Sequence, residues 1–117
     1  MNANELRIGN YTDKGRVEHF YQHGIHVGFG KCFDFGEVNP VPLTEEWLLK
    51  FGFSTTVYSE LAGYTVKNKY GNYYLCSQYI GREFEFEVIY IHQLQNLYFA
   101  LTGEELIIND SIISDPS

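Results

Sequence analysis

With 117 residues, 44% of them hydrophobic and 17% aromatic, the chain is long enough for one packed core and too apolar for intrinsic disorder. Eight Lys and Arg against fifteen Asp and Glu leave a formal net charge of −7, which opposes the counterion release behind nonspecific nucleic-acid binding. No apolar run approaches the length of a membrane span and the opening Met-Asn-Ala-Asn-Glu-Leu-Arg has no apolar leader, so a cytoplasmic setting without membrane association is expected.

Ten Tyr and nine Phe favour pleated, half-buried surfaces, which makes the expected fold class α+β and mainly antiparallel. In chain order, Leu6 to Tyr11 and Arg16 to Phe20 flank the polar break Asp13-Lys14-Gly15 and predict a hairpin. A second break at Gln22-His23-Gly24 leads into Ile25 to Phe29, where Ile25, Val27 and Phe29 keep a period of two; Gly28 and Gly30 predict a bulge or bend. The three strands read as a curled meander, the start of a small SH3-like barrel.

Asn39-Pro40-Val41-Pro42 resists regular structure because neither proline can donate to a ladder. Thr44 then predicts the N-cap of a short helix with Trp47, Leu48 and Phe51 on its apolar face and Gly52 as its stop. Strands are predicted at Phe53 to Tyr58, Tyr64 to Tyr70, Tyr73 to Tyr79 and Glu83 to Ile91. Their breaks fall at Ser59 to Gly63, at a type II′ turn on Gly71-Asn72, and at Ile80-Gly81-Arg82. Leu94, Leu97, Tyr98 and Leu101 give Ile91 to Leu106 a helical stripe, with Gly103 as the left-handed stop. Both helices are expected to pack on the sheets. Glu105 to Ile108 predicts a closing edge strand, residues 1–108 a single domain, and residues 109–117 a frayed tail.

Few residues suggest chemistry. His19, His23 and His26 lie on a predicted hairpin rather than a helix face; His19 and His26 would meet across the ladder with His23 near the turn, a poorly organised metal-ligand set. A solvent-exposed group of histidines is the preferred reading. Cys32 and Cys76 are too few for a disulfide framework or a metal knuckle. Glu83, Glu85 and Glu87 share a strand face, more consistent with a solvated surface than with paired catalytic carboxylates, and Lys67 and Lys69 are placed to neutralise it. His92, Gln93, Gln95 and Asn96 lie off the helical stripe at the start of the second helix. They are the candidate interaction surface, with capping and local hydrogen bonding as the alternative. Without a nucleophile elbow, Walker or dinucleotide motif, no catalytic residue and no cofactor is assigned.

Three blocks, Met-Asn-Ala-Asn-Glu-Leu-Arg-Ile-Gly-Asn-Tyr at the start, Val-Pro-Leu-Thr-Glu-Glu-Trp-Leu-Leu-Lys-Phe-Gly-Phe in the middle and Ile-His-Gln-Leu-Gln-Asn-Leu-Tyr-Phe-Ala-Leu-Thr-Gly-Glu-Glu-Leu late, together resemble a group of small uncharacterised proteins. That group belongs to prophages and mobile elements of Bacteroides-type gut bacteria and has no established function. The resemblance implies an intracellular bacterial setting. The leading expectation is a non-catalytic module that binds a protein partner or its own copy. A nucleic-acid-related role, as an SH3-like binder or acidic DNA mimic, comes second, and a metal-dependent enzyme using the hairpin histidines comes third.

Overall fold

The structure, a computed structural model, describes residues 1–53, 64–77 and 85–108. It is a mixed α+β protein with mostly antiparallel sheets and, among the described residues, two α-helices. The chain divides into two compact units, one from Met1–Pro42 with Tyr90–Glu105 and the other from Leu43–Ile89 with Leu106–Ser117. The predicted strand Phe53 to Tyr58, the breaks at Ser59 to Gly63 and Ile80 to Arg82, Glu83 and the tail 109–117 lie, but for Phe53, outside the described residues. Among the described residues no helix is long and apolar enough to cross a membrane.

The first unit opens differently from expectation. Leu6 to Asn10 is a turn instead of a strand, because Gly9 takes φ +98 and the Asn10 Oδ1 accepts from the Arg7 N–H at 2.6 Å, folding the backbone on itself. Only Tyr11–Thr12 (β1) and Gly15–Arg16 (β2) pair, around Asp13-Lys14. His19–Tyr21 (β3), Gly24–Val27 (β4) and Lys31–Asp34 (β5) then form an antiparallel sheet in that order. Gly24 belongs to β4 and lies against the neighbouring backbone: a Cβ there would collide with the Phe33 carbonyl. The predicted bend falls at Gly28–Gly30, where Phe29 takes a non-helical, left-handed conformation of φ 65 and ψ 28. One face of the sheet carries the buried Ile25 and Val27, which cluster with Leu6, Val17 and Val38, and Met1, Phe33 and Phe35 pack against the cluster.

Ile91–Thr102 (α2) completes this unit. It starts after Tyr90, whose N–H donates to the Gln93 side chain at 3.1 Å, and stops at Gly103 with φ 77, whose N–H reaches the Phe99 carbonyl at 2.8 Å. Its buried face is Ile91, Leu94, Gln95 and Tyr98 with His92, so the stripe is rotated toward Gln95 and leaves Leu97 and Leu101 half-buried.

In the second unit, Glu45–Lys50 (α1) begins as predicted, the Thr44 hydroxyl accepting from the Trp47 N–H at 3.3 Å. Tyr64–Lys69 (β6), Asn72–Ser77 (β7) and Glu85–Val88 (β8) form the second three-stranded sheet. Lys69 pairs with Asn72, so the turn residues are Tyr70 and Gly71, both at positive φ (55 and 87). This is type I′ geometry, one residue earlier than the predicted type II′ turn. Glu105 to Ile108 forms no strand, although Leu106 is buried.

Candidate functional site

The amide cluster at the start of α2 lies inside the first unit. Gln95 is 0% exposed and His92 4%, which corrects the expectation of a contact surface made of His92, Gln93, Gln95 and Asn96; Gln93 alone is exposed and Asn96 is half-buried. The physical reason is the turn at Leu6 to Asn10, which leaves backbone groups without a ladder partner. Gln95 Oε1 accepts from the Tyr11 N–H at 2.9 Å while Gln95 Nε2 donates to the Gly9 carbonyl at 3.0 Å. One side-chain amide thus makes the donor and acceptor contacts that a neighbouring strand's peptide would make.

Around it, Asn10, itself 0% exposed, donates to Asn96 Oδ1 at 2.9 Å, and Asn96 donates to the Glu5 carbonyl at 3.1 Å. Arg7 closes the edge. Its Nε donates to Asn96 at 2.8 Å, its Nη1 to Glu105 at 2.6 Å, and its guanidinium lies 4.4 Å from the Phe99 ring centroid. These amides hold a turn to a helix. The signal in the sequence was Gly9-Asn10, a pair that favours turns, opposite three amides.

The sheet β3–β4–β5 presents its other face outward. There the register sets His19 opposite His26 and His26 opposite Cys32. Cys32 Sγ stands 3.1 Å from His26 Nδ1, and the His19 and His26 rings meet edge to face at 6.5 Å. On the same face the Tyr21 hydroxyl donates to Asp34 Oδ1 at 2.7 Å, and this bond pushes the phenol up to about 12. His23 sits at the β3–β4 turn, where its carbonyl accepts from the Phe35 N–H at 2.9 Å, away from that row. Among the described residues no three His, Cys, Asp or Glu side chains converge on one point as they stand.

Glu85 and Glu87 are exposed on β8. Lys69 Nζ grips both carboxylate oxygens of Glu85, at 2.6 and 2.7 Å. That bond holds the Glu85 carboxyl below its usual range and raises the Lys69 ammonium, so Glu85 is a neutralised surface anion and no proton donor. Cys76, opposite Glu85 on β7, is buried, and burial pushes its thiol up.

Two turn tips carry aromatic rings fully in solvent. Phe29, between Gly28 and Gly30, takes φ 65, and Tyr70 takes φ 55; both are left-handed conformations that bulky residues avoid. Gly28 and Gly30 signalled a bend here, but Phe29 keeps the strand period of Ile25 and Val27, which hides its left-handed conformation. No protein-family model, curated protein or solved structure matches the chain.

Proposed function

We propose that the protein is a non-catalytic module that binds a protein partner, with Phe29 as its anchor in the first unit. The observation that carries this reading is a fully exposed phenyl ring held at φ 65 between two glycines. A left-handed conformation costs a residue with a Cβ roughly 1–2 kcal/mol, and an exposed ring gains nothing from burial in return. A partner that covers the ring recovers about 2–3 kcal/mol through the apolar surface it buries, the scale of a binding hot spot. The bend at Gly28–Gly30 that projects Phe29 also supports reading the curled meander as SH3-like. The prophage resemblance supports a bacterial cytoplasm as the place where the partner is met.

The test is a tagged pull-down from a bacterial host lysate, with and without nuclease, read by mass spectrometry. A stoichiometric protein that survives nuclease and is lost from Phe29→Ser supports the reading. A second copy of the chain lost in the same way would make the module a homodimer. Recovery of nucleic acid alone, removed by nuclease, overturns it.

A further inference from the structure

β5 is the last strand of its sheet, with no neighbour beyond it among the described residues. The Phe35 N–H donates to the His23 carbonyl at 2.9 Å, and in an antiparallel ladder this bond sets the alternation. Lys31 and Phe33 turn their backbone groups inward to Val27 and Ile25, while Cys32 and Asp34 turn theirs outward. The Asp34 N–H is taken by Glu37 Oε2 at 3.2 Å, which leaves the Cys32 N–H and C=O as donor and acceptor in the middle of an exposed edge. We propose that β5 takes an extended acidic segment of a protein partner as a fourth strand, bonded to the Cys32 peptide and held by the Lys14 and Lys31 ammonium groups, with Phe29 at its end. This rests on the reading that the chain binds a protein.

Charge selects the partner. Lys31 is exposed and makes no ion pair among the described residues. Lys14 Nζ lies over the Phe33 ring, 5.5 Å from its centroid, and Lys31 shares the face of Phe33 as its alternate neighbour on the strand, so two cations flank one ring. Asp13 stands 3.8 Å from Lys14, but both its oxygens are taken by Asn39, at 2.8 and 3.0 Å. A positive edge on a chain of net charge −7 suits an acidic strand and not a second copy. Two copies paired about Cys32 would set Lys31 of one opposite Phe33 of the other and so beside its Lys14, like charge against like. The register centred on Phe33 needs the Asp34 N–H that Glu37 already holds. There is room for the added strand: a Cβ on Gly28 or Gly30 would meet nothing within 4 Å, so the turn that carries Phe29 stands clear of the fold. Main-chain bonds give such a strand its affinity, and side chains alternating toward the two faces give specificity, acids on the side of Lys14 and Lys31.

The experiment titrates the full chain with the peptide acetyl-Val-Glu-Val-Glu-Val-amide, which as a strand sets both acids on one face, and follows backbone amides by NMR. The peptide is expected to slow hydrogen exchange at the Cys32 N–H, and the same peptide with Lys in place of Glu to leave it unchanged. Cys32→Pro removes the outward N–H at a position where proline breaks no ladder bond, and Lys31→Glu reverses one cation; each should weaken binding about tenfold or more, with unfolding curves verifying that both variants fold. The proposal is overturned if the acidic peptide does not bind, if both peptides bind equally, or if Cys32 exchanges equally fast in the complex. Protection of Cys32 that rises with protein concentration alone also overturns it, since that is pairing between copies. In the lysate pull-down, a protein lost from Phe29→Ser but kept by Cys32→Pro and Lys31→Glu sinks the edge and leaves Phe29 as anchor. The reverse pattern sinks the anchor and leaves the edge.

Discussion

The first unit holds two polar groups that look alike as strings of residues and differ in what they leave free. Arg7, Asn10, Gln95 and Asn96 form a closed group: Gln95 and Asn10 are 0% exposed, and their hydrogen bonds end on the chain's own backbone and side chains. His19, Tyr21, His26, Cys32 and Asp34 form an open group, spread on a sheet face with rings and thiol toward solvent. Polarity alone does not make a site. A polar group inside is there because the fold has backbone to satisfy, and only donors and acceptors left over at the surface are available to a ligand.

The widest separation between the two groups comes from truncation. Gln95→Ala removes the side-chain acceptor of the Tyr11 N–H and one of two donors to the Gly9 carbonyl, which keeps Arg16 Nε at 3.3 Å, and it empties a buried position, so a loss of about 2 kcal/mol is expected from urea unfolding. His19→Ala on the open face should stay within ~0.5 kcal/mol of the parent. Equal losses would erase the distinction. Gly24→Ala comes next, at about 2 kcal/mol, because its Cβ must displace the Phe33 carbonyl on the strand that carries Cys32 and Asp34. That variant should also lose the Tyr21 to Asp34 bond, detectable as a phenol returning toward 10, its ordinary value.

The closed group was partly legible in the sequence and the open one only by halves. The period of Leu94, Leu97, Tyr98 and Leu101 with Gly103 located α2, yet its phase misled, because hydrophobic counting places an amide outside and Gln95 is there to complete a backbone ladder. The Gln22-His23-Gly24 break predicted the meeting of His19 and His26, which the register bears out. The neighbour that extends the row was missed because Lys31–Asp34 offers a single inward apolar residue, Phe33, too little alternation to mark a strand. Similarly, the turn at Tyr70-Gly71 was placed one residue late, since a tyrosine at φ 55 is contrary to steric preference.

His92 lies between the two cases: 4% exposed, stacked at 5.9 Å on Tyr90, its Nδ1 buried without a partner among the described residues. Burial lowers its pKa from 6.5, opposed in part by the charge of Glu5. The unfolded chain therefore takes up the proton first as pH falls below 6.5, and the stability that neutral His92 contributes above that point drains away until the folded-state pKa is passed. Urea midpoints followed down through this range should fall less in His92→Leu than in the parent. Parallel pH profiles would show that the ring is solvated and belongs with the open group.

The smallest effect expected is the one that defines the open face. Tyr21 and Asp34 share a hydrogen bond of 2.7 Å at the surface, where water competes for both partners, so Asp34→Asn should leave the urea midpoint at the parent's value. Its spectroscopic effect is larger. With the carboxylate charge gone, the Tyr21 phenol keeps only a neutral amide oxygen as acceptor and should ionise nearer to 10 than to about 12, adding one tyrosinate to the ultraviolet difference spectrum between those values. A variant that is neutral in unfolding yet shifted in tyrosine titration places this pair where a ligand could compete for it. One that loses stability instead would mean that the face is tied into the core as Gln95 is, and the contrast between the groups would narrow to the His19, His26 and Cys32 row.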